Sequence, residues 1–81
     1  HLQGEDPRWA LDLLISLGAL LVADGRYDEA DGPLTAYRRL RPQEAQGALL
    51  LGEAALRRGR RDEAVRLLNE AERLAVRAGQ T

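Results

Sequence analysis

Two stretches lying 34 residues apart decide the fold: Leu17-Gly18 with Gly25-Arg26-Tyr27-Asp28-Glu29-Ala30, and Leu51-Gly52 with Gly59-Arg60-Arg61-Asp62-Glu63-Ala64. Working outward, Leu34/Leu68, Arg39/Arg73 and Leu40/Leu74 also coincide when 11–44 is laid on 45–78. Ten of the 34 pairs are identical, where residue frequencies alone give about four. The matches fall mostly at small and apolar positions. A period of this length marks one supersecondary unit written twice.

Helix signals divide each unit into two helices. Asp6-Pro7 is a start signal, an Asp to cap free amides and then a Pro where no helical hydrogen bond is lost. The apolar run then continues to Ala23, and Gly25 supplies the left-handed stop. A second helix follows Arg26, with Asp28 and Glu29 facing the positive end of its dipole. Pro42 opens a third, which Gly59 ends as Gly25 ends the first. The fourth carries a stripe at helical spacing, Ala64, Leu67, Leu68, Ala71, Leu74, Ala75 and Ala78. Asp62–Arg66 and Arg66–Glu70 are spaced to pair on its wet face. The pattern predicts an all-α chain with helices over 7–23, 27–40, 43–58 and 61–78. Gly18 and Gly52 then fall in mid-helix, where Gly costs about 1 kcal/mol relative to Ala. Close approach of the helices carrying Ala30 and Ala64 compensates. Leu17, Leu21, Leu34, Leu51 and Leu68 are expected to fill the space between.

The 34-residue helix–turn–helix unit resembles the tetratricopeptide repeat (TPR) family. The first copy reads Leu14-x2-Leu17-Gly18-x2-Leu21, then Gly25 to Ala30, Leu34 and Pro42; the second reads Ala48-x2-Leu51-Gly52-x2-Ala55, Gly59 to Ala64 and Leu68. The resemblance implies two hairpins stacked as a short right-handed α-solenoid. Residues 1–10 form a lead-in and helix start, 11–44 repeat 1, 45–78 repeat 2 and 79–81 a tail. The sequence departs from the family at several places. Helix A carries Leu14 and Leu21, then Ala48 and Ala55, where the family has Trp and Tyr. Tyr37 stands where a small residue is usual, and Val76 replaces the closing Pro. Gly32-Pro33 lies within the second helix, and either kinks it or restarts it at Pro33 with Asp31 or Gly32 as cap.

Composition excludes most chemistry. The 81 residues include no Cys and a single His at position 1, which removes thiolate sites, histidine metal clusters and histidine relays. Ser16 is the only serine, so a Ser–His–acid triad lacks material. Adjacent carboxylates such as Asp28-Glu29 and Asp62-Glu63 point to different sides of a helix and do not act on one substrate. Gly25-Arg26 and Gly59-Arg60 are helix–helix turns, not phosphate loops. No enzyme activity and no cofactor is expected. All 12 basic residues are Arg, a codon signature of a high-GC, bacterial gene. Net charge is −1, which steers neither nucleic acid nor anionic lipid. Its distribution is uneven, with 2 Arg against 7 acids in 1–37 and 10 Arg against 6 acids in 38–81, an asymmetry read first as solvated surface, with head-to-tail contacts between copies as the alternative. The apolar stretch Leu11–Ala23 is too short to span a bilayer, and no basic segment makes it a signal peptide. A cytoplasmic location follows by default.

Binding remains. The resemblance implies a concave groove lined by Asp12, Ile15, Ala19 and Val22 and by Gln46, Leu49, Glu53 and Leu56. None of these is Lys, Arg or Asn, so a clamp for a chaperone's terminal carboxylate is not expected. An apolar groove suits a protein or peptide with an apolar or amphipathic segment, as in the small bacterial secretion chaperones of this family. The competing reading is a structural pair of repeats from a larger array, or a self-associating scaffold. The first helix is apolar nearly all round, so a homo-oligomer is expected through a patch at Ile15, Ala19 and Val22 with Trp9 nearby.

Overall fold

Helices α1 (Arg8–Ala23), α2 (Tyr27–Leu40), α3 (Ala45–Arg57) and α4 (Arg61–Gly79) account for nearly all of the computed structural model, which describes residues 8–79. Among the described residues there is no strand. The Asp6-Pro7 start signal lies outside them.

The repeat is reproduced down to single hydrogen bonds. Arg26 N–H donates to the Leu21 carbonyl at 2.8 Å and Gly25 N–H to that of Val22 at 3.0 Å, while Arg60 N–H donates to Ala55 at 2.8 Å and Gly59 N–H to Leu56 at 3.1 Å. Both glycines sit at φ +79°, the left-handed value these helix stops require. Each turn folds its second helix back on its first, so α1 pairs with α2 and α3 with α4. Gly18 admits Leu34 of α2 and Gly52 admits Leu68 of α4. Ala30 and Ala64, each near the start of its second helix, are buried.

The two hairpins meet through α3, which packs on both α1 and α2, whereas the α4 backbone approaches neither. Their shared core holds Val22, Ala30, Leu34 and Ala54, with Ile15, Leu21, Tyr27, Leu50 and Leu51 packed against it. The Cα extents of 43 × 31 × 15 Å describe a thin slab. Leu34 is the largest side chain buried completely, as expected where surface outweighs volume.

Several expectations are corrected. Helix α3 begins at Ala45, not just after Pro42. Pro42 instead occupies the second position of a tight turn closed by Glu44 N–H on the Arg41 carbonyl at 3.1 Å. Helix α2 runs unbroken through Pro33. Gly32 carries no Cβ to collide with the Pro33 ring, and the carbonyl left unbonded is that of exposed Glu29. Leu17 does not fill the interhelix space but is 43% exposed, because α1 turns Gly18 and Val22 toward its neighbours. Glu70 bonds Arg38 of α2 at 2.6 Å, rather than Arg66 of its own helix. Helix α4 does run on to Gly79, as the missing proline at Val76 allows.

Candidate protein-binding site

At 100° per residue, Gln46, Leu49, Glu53 and Leu56 fall on one side of α3. Gln46, Leu49 and Leu56 are exposed there and Glu53 is half-buried, with Arg57 3.5 Å from its carboxylate. The matching row on α1 is largely closed. Asp12 is exposed, Ile15 and Ala19 are half-buried, and Val22 is a core residue at 4% exposure. The reason is α3 itself: Ala54, Leu50 and Leu51 pack where Val22 and Ile15 were expected to face open space. Val22 is therefore not available to a ligand in this fold.

Leu49 instead meets α4. With Ala45 it forms one wall of a mostly apolar groove of about 450 Å³ whose other wall is Leu68, Asn69, Ala71, Glu72 and Ala75. The small side chains on α4 leave room, and Leu49 is half exposed beside them. A larger cleft of about 710 Å³ runs along α4 past Arg38, Glu63, Arg66, Glu70 and Arg73. Three Arg and two Glu line it, and Arg38 is already bonded to Glu70, so most of its charge is matched within the cleft.

Charge elsewhere joins the hairpins. The Arg58 guanidinium, largely covered, donates to Asp28 and, at 3.3 Å, to Asp31 of α2. Arg60 stands 3.8 Å from Glu63. The basic run at 57–61 is thus mostly matched by acids. Arg26 forks onto Glu29 at 2.8 and 2.9 Å, and this hydrogen bonding holds its guanidinium above the ordinary value. Tyr37 is buried against Gly47, and burial raises its phenol above the ordinary value. Gly47, opposite the ring, leaves the room that Tyr37 takes.

The free apolar surface of α1 is not where the sequence put it. Trp9, Leu13, Leu17 and Leu20 are the exposed residues, Trp9 and Leu20 by two-thirds. They form one stripe on the side of α1 opposite Leu11, Gly18 and Val22. The Arg58 clasp and the Leu49–Ala75 groove were both missed from sequence. The signal for the first was Asp24, the acid in repeat 1 that occupies the position of Arg58 in repeat 2. For the second it was the run of Ala on α4 beyond Leu68.

Among the described residues no three His, Cys, Asp or Glu side chains gather as a metal site, and no helix is long and apolar enough to cross a membrane. Comparison with protein-family models, with curated proteins and with solved structures finds no match to this chain.

Proposed function

We propose that the chain is a pair of TPR hairpins forming a short right-handed α-solenoid, and that it works as a non-enzymatic protein-interaction module. Its ligand is an apolar or amphipathic helix seated between α3 and α4. The observation that carries the reading is the groove of Ala45, Leu49, Leu68, Ala71 and Ala75, apolar and open beside exposed Leu49. The sequence places little chemistry-bearing material anywhere on the chain, while this surface is mostly apolar, as a helix-in-groove site requires. Support for the TPR assignment is the doubled turn, with its two glycines at the same φ and the same pair of hydrogen bonds. The test is binding of a fluorescent, leucine-rich amphipathic peptide. Leu49→Glu and Ala75→Arg are expected to abolish binding while circular dichroism and Tm stay near those of the parent chain. Undiminished binding by both variants contradicts the proposal.

A further inference from the structure

The internal junction between the hairpins is a template for what fits the groove. Residues of α3 that face the first hairpin are Gly47 against Tyr37 and Arg38, Leu50, Leu51 and Ala54 in the core, and Arg58 on Asp28 and Asp31. Thirty-four residues earlier stand Leu13, Ser16, Leu17, Leu20 and Asp24. The exposed stripe of α1 is therefore the same face in the same register, without a hairpin in front of it. The groove obeys the same shift. Ala45, Leu49, Leu68 and Ala71 correspond to Leu11, Ile15, Leu34 and Tyr37, which the neighbouring helices cover wholly or in part.

We infer that the groove receives α1 of a second copy of this chain, so that copies stack head to tail and continue the repeat. This inference rests on the protein-binding reading and names the partner of the same site. At one pair the side-chain sizes exchange across the contact. At the internal junction a large Tyr37 meets Gly47; between copies a small Ala71 meets Leu13. Bulk moves from one side to the other, and the sum is kept, which is what close packing asks of an interface. Charge also favours this polarity, since the acidic first half of one copy meets the basic second half of the next. Two pairs oppose it: Leu13 takes the place of Gly47 and so also meets Glu72, the groove residue that corresponds to Arg38. The cation Arg58, which clasps Asp28 and Asp31, is replaced by Asp24, and its counterpart on α4 is Asp62. The contact is heterologous, so it forms without closing on itself and depends on concentration.

Light scattering after size exclusion, from low to high micromolar chain, tests the inference. The mean mass is expected to rise without a plateau at the dimer. Leu13→Glu spoils only the head and Leu49→Glu only the tail, both at exposed positions. Each alone is expected to be monomeric, and a mixture of one head and one tail variant to form a one-to-one pair. Asp24→Arg is expected to strengthen stacking by supplying the cation opposite Asp62. A chain that stays monomeric throughout overturns the inference. So does a tail variant that still dimerises while the head variant does not, the sign of two-fold pairing through α1. If the chain is monomeric yet the amphipathic peptide binds in a Leu49-dependent way, only the inference fails. If neither occurs, the protein-binding reading fails with it.

Discussion

Gly18 and Leu34 lie so close that a Cβ built on Gly18 would sit 2.6 Å from the Leu34 Cγ, and Gly52 stands to Leu68 in the same relation at 2.9 Å. Real Cβ contacts are essentially never that short. Alanine would gain about 1 kcal/mol in helix propensity at either position, but Leu34 is wholly buried and has nowhere to retreat. Gly18→Ala is expected to destabilise the chain by about 1–3 kcal/mol net through overpacking, and Gly52→Ala by less, since Leu68 is only half-buried. Thermal unfolding of the two variants checks both the sign and the order.

The second prediction concerns Arg58. Its guanidinium is mostly covered and reaches two carboxylates of the other hairpin, whereas Arg57 and Glu53 form an exposed pair within one helix. A double-mutant cycle on Arg58 and Asp31 is expected to give a coupling of about 1 kcal/mol, and one on Arg57 and Glu53 about 0.3 kcal/mol or less. Equal couplings would mean that the clasp does not join the hairpins.

Pro33 interrupts the α2 hydrogen-bond ladder without stopping the helix. Pro33→Ala restores an amide for the Glu29 carbonyl and is expected to stabilise the chain by about 1–2 kcal/mol, less than the full ~3 kcal/mol cost of an interior proline because Gly32 has already relieved part of the clash. Chemical denaturation gives the value directly.

Tyr37 predicts an alkaline limit. Burial opposes its ionisation in the fold, so the folded pKa lies above the unfolded one. The folded chain then holds its proton where the unfolded chain releases it, and stability falls with rising pH. The contribution is complete below about pH 10, where unfolded tyrosine begins to ionise, and is lost as pH climbs through the folded value. Unfolding measured from pH 8 upward is expected to lose this slope in Tyr37→Phe.

What was legible in the sequence follows from what repeats. Gly25 and Gly59, Gly18 and Gly52, Ala30 and Ala64 each serve a contact inside one hairpin, and a contact made twice leaves a period. The helix boundaries that failed are local: Pro42 reads equally as a first helical residue or as a turn residue, and only the Glu44–Arg41 hydrogen bond decides. Contacts made once leave no period. Arg58 bonds across the junction because Asp28 and Asp31 happen to face it, and the same position in repeat 1 is Asp24. Val22 was assigned to the groove, and Leu17 to the core, for a related reason. Helix α1 is apolar nearly all round, so its pattern carries no record of which side meets α3.

Whether a helix seats between α3 and α4 is tested most directly by methyl NMR of the isotope-labelled chain titrated with an amphipathic helical peptide. The account predicts that resonances of Ala45, Leu49, Leu68, Ala71 and Ala75 shift together with one affinity, while those of Ala30 and Leu34 do not. Shifts confined to Ile15 and Ala19, or no shifts at saturating peptide, would contradict it.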